Sequence, residues 1–141
     1  MKTLYTAHAK ATGGREGTAE SSDKQLNVKL ASPASGKAGT NPEQLFAIGY
    51  AACFGSAIQH VAKLKKAPVS QVEVQAEVDL NQDDNGYFIS VTLSAELQGV
   101  DQQTAERLVQ EAHKTCPYSK ATRNNIQVTL KANGQNLKAA A

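Results

Sequence analysis

The chain has 141 residues, a formal net charge of +2 and charged side chains at 20% of positions. That length suits one domain with a substantial core, so residues 1–141 are read as a single domain. The balanced charge excludes the basic footprint of a nucleic-acid binder, and aromatics at 5% with no Trp exclude base-stacking platforms.

The opening MKTLYTAHAKATGGREG has no apolar run after its early Lys and does not read as a signal peptide. The longest apolar stretch, residues 45–58, falls short of the roughly 20 residues that span a bilayer. Both features point to a cytoplasmic chain without a membrane partner. Two cysteines are too few for a secreted disulfide scaffold of this length.

Residues 2–10 and 25–30 read as short strands around ATGGREG, whose glycines let the backbone turn without steric cost. ASPASGKAGTN (31–41) is a loop of small and polar residues. NPEQ then opens a helix, with Asn41 as N-cap, Pro42 at the first helical position and Gln44 reaching back as in a capping box. The helix is predicted to run to about Lys65, before Ala67-Pro68.

Over residues 45–58 only Tyr50 and Ser56 carry polar side-chain groups, so this helix is apolar nearly all round and needs cover on both sides. Gly49, Ala52, Cys53 and Ser56 form a stripe of small residues at i, i+3, i+4 and i+7. A sheet can cover one face and a symmetry mate the other.

VEVQAEVDL (72–80) and YFISVTLSAEL (87–97) alternate as strands joined through DDNG, where Asn85-Gly86 is a hairpin signal. Asp101 caps a second helix with Ala105, Leu108, Val109, Ala112 and Cys116 at helical spacing. That helix must stop or kink at Cys116-Pro117. YSKATR reads as another helical turn, IQVTL (126–130) as a last strand and LKAAA as a frayed tail. No internal repeat is visible, and the class is α+β.

The chemistry rests on Cys53 and Cys116. Cys53 alone reads equally as a buried, inert thiol. The plain alternative for the pair is a static disulfide, which loop entropy values at about 4 kcal/mol but which the expected reducing compartment argues against. The functional alternative is an attacking and a resolving thiol: a thiolate opens an O–O bond, becomes a sulfenic acid and is captured by the second cysteine.

Such a thiolate needs help. At a reference pKa near 8.5 only about 3% of a thiol is ionised at pH 7, and apolar walls raise the pKa further. Arg15, in the glycine-rich turn, is the best candidate cation, with a solvated hairpin tip as its plain alternative. Arg107 and Arg123 default to surface roles. Glu43, in the first helical turn, either compensates the helix dipole or holds an arginine fork.

Of the three histidines, only His113-x-x-Cys116 has ligand-like spacing, and no metal or cofactor is expected. TGGREG lacks the Lys-Ser/Thr of a phosphate loop.

Together NPEQLFAIGYAACF, CPYSKATR and the early TGGREG resemble the organic hydroperoxide resistance (Ohr) proteins of the Ohr/OsmC family. The match runs from about Tyr5 to Leu130 in the expected order. Each segment is ordinary alone; the three with both cysteines are specific. Asn124 departs from the Gly expected after ATR, a mild change because Asn tolerates a left-handed backbone.

The resemblance implies an intertwined α+β homodimer whose long central helices are enclosed by antiparallel sheets. It implies a cysteine-based peroxidase of the oxidative stress response that reduces organic hydroperoxides to alcohols. On this reading Cys53 is the peroxidatic thiol, Cys116 the resolving thiol, Arg15 the activating cation and Glu43 its partner carboxylate. Dihydrolipoyl groups on partner proteins are the implied dithiol reductant. Leu45, Phe46, Ile48, Phe54, Ile58 and Tyr118 are the expected walls of an alkyl pocket. The alternatives are an OsmC-branch peroxidase and a non-enzymatic two-cysteine redox sensor.

Glu43 and Cys53 lie on one predicted helix, about 15 Å apart along its axis and about 80° apart in direction. No rotamer of Glu43 closes that gap. If two central helices pack antiparallel about a two-fold axis, Glu43 of one subunit approaches Cys53 of its mate. Glu43 and Arg15 are therefore expected to act in trans, with Cys53 and Cys116 pairing within one chain.

Overall fold

A Cβ on Gly17 would sit 1.7 Å from the carbonyl oxygen of Thr12, so only glycine lets the chain fold back on itself here. The computed structural model describes residues 1–137, so all of the expected frayed tail beyond Leu137 lies outside the described residues. The chain separates into two compact units, Met1–Leu45 and the remainder from Phe46 onward.

The first unit carries a three-stranded antiparallel sheet of β1 (Ala9–Thr12), β2 (Thr18–Ser21) and β3 (Asn27–Lys29). A single 3-10 turn, Gly14–Glu16, joins β1 to β2 and carries Arg15. Two expectations change here. The first strand is short, starting at Ala9, because its four-residue partner β2 runs out at Ser21. β2 itself went unread because TAES has no apolar alternation to announce a strand.

The helix start follows local rules. Asn41 Oδ1 accepts the Gln44 N–H at 2.9 Å, which is the expected cap. The Gln44 side chain, however, accepts from the Thr40 hydroxyl at 2.7 Å rather than completing a capping box with Asn41. α1 runs over Pro42–Leu64. It ends with Lys66 at φ 54 and the Ala67 N–H bonded to the Ala62 carbonyl at 2.9 Å, a left-handed close that precedes Pro68.

With 23 residues and a mean hydropathy of 1.4 over its most apolar window, α1 is long and apolar enough to cross a bilayer by length and composition, while its uninterrupted apolar run stays at residues 45–58. Gln59 and His60 interrupt a strict apolar run without lowering the average much. The apolarity has a use inside the protein, since Tyr50, Phe54 and Ile58 are wholly buried in its core. The opposite face, with Ile48, Ala52, Ser56 and Gln59, is exposed.

The second unit is built on the hairpin of β4 (Gln71–Asp83) and β5 (Gly86–Gln98), in register from Gln71 opposite Gln98 to Asp83 opposite Gly86. Asp84 and Asn85 form the loop, and Gly86, at φ 119, opens β5. α2 (Gln102–Thr115) starts where Asp101 accepts the Thr104 N–H at 2.8 Å. α3 (Pro117–Thr122), β6 (Val128–Ala132) and β7 (Gln135–Asn136) complete the unit.

β6 joins the edge of β5 in parallel, because the helical crossover through α2 and α3 returns the chain to the same end of the sheet. This sheet is therefore mixed, not wholly antiparallel as expected. Asn124 takes φ 61, the left-handed backbone that its place after ATR demands.

The core of this unit gathers the buried face of α1 with Val91, Leu93 and Ala95 of β5, Leu108, Val109 and Ala112 of α2, and Leu130 of β6. Each large apolar side chain closed in this way stabilises by about 1.5–3 kcal/mol. The α+β class holds throughout.

Candidate functional site

Pro117 has no N–H with which to extend α2, so the backbone leaves the helix at Cys116 (φ −66, ψ 125) and re-enters one as α3. Cys116 is held from both sides of the break. Its N–H donates to the Ala112 carbonyl at 2.8 Å, and its carbonyl accepts the Lys120 N–H at 3.0 Å.

This junction aims the Cys116 sulfur at α1. Sγ of Cys116 lies 3.5 Å from Sγ of Cys53, and both thiols are free. A disulfide needs about 2.05 Å, so closing it takes a movement of roughly 1.5 Å. Cys116 is fully buried, whereas Cys53 keeps partial access to solvent.

Burial pushes the Cys53 thiol up from its ordinary value. The Tyr118 N–H, donating to the Cys53 sulfur, opposes that rise, and the neighbouring Cys116 sulfur adds to it.

Tyr118, two residues after Cys116, belongs to an aromatic cluster. Tyr118 stacks on Tyr50 with centroids 5.6 Å apart, and Phe46 meets both rings at 6.0 Å. Gly49 makes this approach possible, because a Cβ there would stand 2.8 Å from the Tyr118 hydroxyl. Of the six expected pocket residues, only Phe46 and Tyr118 meet in this half-exposed cluster. Phe54 and Ile58 are sealed in the core, Leu45 is half-buried and Ile48 is 68% exposed.

In the first unit, Arg15 and Glu43 form a two-pronged ion pair. Nη1 donates to Oε2 at 2.9 Å and Nη2 to Oε1 at 2.5 Å. These bonds hold the Glu43 carboxyl below the usual carboxylate range, and the first turn of α1 also favours its charge. The neighbouring Glu16 is occupied elsewhere, accepting from the hydroxyl and N–H of Ser32, so it does not compete for Arg15.

The sequence reading missed a buried polar cluster around the thiols. The Tyr50 hydroxyl lies 2.8 Å from Ser119 Oγ and 3.2 Å from Thr122 Oγ1. His113 Nδ1 lies 2.9 Å from the same Ser119 Oγ. One signal was available: a Tyr inside an otherwise apolar helix must find a partner for its hydroxyl once buried. In sequence His113 stands out only by its metal-ligand spacing to Cys116. Burial and the Arg123 charge hold its imidazole below its ordinary pKa, keeping it neutral.

The OsmC-like protein family model matches residues 34–131. An organic hydroperoxide resistance protein from Xanthomonas axonopodis pv. citri is 51% identical, over 92% of this chain and 94% of its own. The crystal structure of OhrB from Bacillus subtilis superposes with a TM-score of 0.88 at 45% identity, covering 93% of this chain and 100% of that one. An organic hydroperoxide resistance protein from Legionella pneumophila gives a TM-score of 0.88 at 47% identity, over 93% and 98% of the two chains. With its cysteine pair, its arginine–glutamate fork and these relatives in view, the chain belongs to the OsmC-like family, within its organic hydroperoxide resistance group.

Proposed function

We propose that this protein confers organic hydroperoxide resistance as a thiol-dependent peroxidase, reducing alkyl and lipid hydroperoxides to alcohols. The observation that carries the reading is the thiol pair itself: a partly accessible Cys53 with a buried Cys116 3.5 Å behind it. The accessible sulfur meets substrate and the buried one waits for the oxidised product.

In the first step the Cys53 thiolate attacks the terminal oxygen of the hydroperoxide and the O–O bond breaks. The alkoxide takes a proton and leaves as the alcohol, and Cys53 becomes a sulfenic acid. The Cys116 sulfur then attacks the Cys53 sulfur. Hydroxide leaves with a proton as water, and a disulfide remains. A dithiol, for which dihydrolipoyl groups of partner proteins are the proposed source, returns both cysteines to thiols and is itself oxidised.

Arg15, presented by Glu43, is the proposed cation for the first step. It would oppose the burial that raises the Cys53 pKa and then meet the developing alkoxide. The two units are proposed to work as one domain within an intertwined homodimer in the cytoplasm. The exposed face of α1, whose large apolar residue is Ile48, supports a second copy as its cover. In that arrangement Arg15 and Glu43 serve Cys53 of the mate.

A stopped-flow test decides the reaction. Reduced protein mixed with an alkyl hydroperoxide should lose two thiols per alcohol formed, and a dithiol should sustain turnover with catalytic amounts of protein. Oxidation that occurs once and is not followed by dithiol-driven turnover would refute the enzyme and leave a sensor.

A further inference from the structure

Buried polar residues bracket the cysteines at three-residue spacing: Tyr50 before Cys53, His113 before Cys116 and Ser119 after it. With Thr122 they make four contacts. These are His113 Nδ1 to Ser119 Oγ at 2.9 Å, Ser119 Oγ to Tyr50 Oη at 2.8 Å, Tyr50 Oη to Thr122 Oγ1 at 3.2 Å, and Thr122 Oγ1 to the Ser119 carbonyl at 3.2 Å. All four residues are 0–5% exposed.

Counting hydrogens gives the chain a direction. The Ser119 carbonyl has none, so Thr122 donates to it. Thr122 has no second hydrogen, so Tyr50 donates to Thr122. By the same count Ser119 donates to Tyr50, and His113, protonated on Nδ1, donates to Ser119. One hydrogen serves each contact, and every bond runs the same way. No other direction satisfies all four.

The fastened element is α3, six residues long and too short to persist as a helix by itself. The hydroxyls of Ser119 and Thr122 tie it to Tyr50 on α1. The same short helix begins beside Cys116 and supplies the Tyr118 N–H that meets the Cys53 sulfur. On the opposite side of the break, the Arg123 side chain donates to the His113 carbonyl and fixes the end of α2.

We propose that Tyr50, Ser119, Thr122 and His113 are positioning residues that hold Cys116 against Cys53 and thereby set how readily the disulfide forms. They touch neither substrate nor leaving group. They act by raising the effective concentration of one thiol at the other. This assignment rests on the reading above, in which the two cysteines cycle between thiols and a disulfide.

The test is a redox titration that uses no hydroperoxide. Wild-type protein, Tyr50→Phe and Ser119→Ala are equilibrated in a series of reduced and oxidised dithiothreitol, and the Cys53–Cys116 disulfide is measured by alkylation and intact mass. Each variant should lower the equilibrium constant for the disulfide about tenfold, an upward shift of about 30 mV in potential. The double variant should add little, since each substitution breaks the same chain. Asp101→Ala, which removes the N-cap at the far end of α2 from Cys116, should lower melting temperature without moving the potential.

Folded variants whose equilibrium constants stay within twofold of wild type would overturn the assignment. Thr122→Val, which keeps the side-chain volume and removes the hydroxyl, gives the same reading should either of the others fail to fold. Wild-type protein that forms the disulfide here but reduces no hydroperoxide would remove the peroxidase and leave the positioning result standing. Wild-type protein that forms no intramolecular disulfide would remove both.

Discussion

Cys116 Sγ stands 3.5 Å from Cys53 Sγ, yet only Cys53 has access to solvent. The asymmetry comes from the elements that carry them. Cys53 lies on the partly covered side of α1, and Cys116 closes the corner between α2 and α3. In the proposed reaction the asymmetry supports an order of events, substrate first to the accessible sulfur and then transfer to the buried one.

Cys53→Ser should abolish hydroperoxide reduction. Cys116→Ser should consume about one equivalent of hydroperoxide and then stall as a sulfenic acid. Product counting with a sulfenic-acid trap distinguishes them. Equal residual turnover in the two variants would remove the division of labour.

Alkyl hydroperoxides should oxidise Cys53 faster than hydrogen peroxide does. Tyr118, two residues after Cys116, offers aromatic surface together with Phe46, and each buried methylene is worth up to about 0.8 kcal/mol, or about fourfold in rate. An alkyl group of four carbons should therefore gain on the order of a hundredfold. Second-order rate constants from stopped-flow, compared at one pH, check this; near-equal constants would exclude an alkyl site.

Arg15→Ala should move the alkylation profile of Cys53 toward alkaline pH, with Glu43→Gln acting in the same direction but more mildly. The ion pair has its own pH signature. Glu43 is held below its ordinary pKa, so the stability it contributes is complete above the unfolded carboxylate pKa and is lost as pH falls through the folded one. Melting temperatures of wild type and Glu43→Gln should therefore converge in acid and separate above it. A Cys53 alkylation profile that is the same in Arg15→Ala would count against the cation.

Gly17→Ala should destabilise the β1–β2 hairpin. Its Cβ would collide with the Thr12 carbonyl at 1.7 Å, and backbone has no rotamer by which to move aside. The cost should be about 1–3 kcal/mol, within the range for overpacked sites. Displacement of Arg15, two residues away, should reduce peroxidase activity as well. Thermal unfolding together with activity assays measures both effects.

Mixing inactive Cys53→Ser with inactive Arg15→Ala under subunit exchange tests sharing between copies. If Arg15 acts in trans, the mixed dimer carries both lesions in one site and leaves the other intact, so activity returns. Verified exchange without recovery would place Arg15 and Cys53 of one chain in one site.

Much of the architecture was legible because it depends on neighbours in sequence. Asn41 caps α1 and Asp101 caps α2 through bonds spanning three residues, and Pro117 ends α2 because a proline lacks the donor the next turn needs. Alternation along VEVQAEVDL and YFISVTLSAEL marks β4 and β5 for the same reason: side chains two apart share a face. Local chemistry also placed Asn124 in its left-handed turn.

Contacts between distant residues obeyed no such rule. TAES became a strand only because β1 and β3 flank it, and β6 paired in parallel because a crossover brought it back to β5. Tyr50, His113, Ser119 and Thr122 look unremarkable in sequence, yet packing α1 against the α2–α3 corner removes water from their polar atoms. Once dry, those atoms must bond one another. The residue types and the local turns were set by the amino-acid order, whereas tertiary packing chose which polar atoms lost water together and brought the two sulfurs to within 3.5 Å.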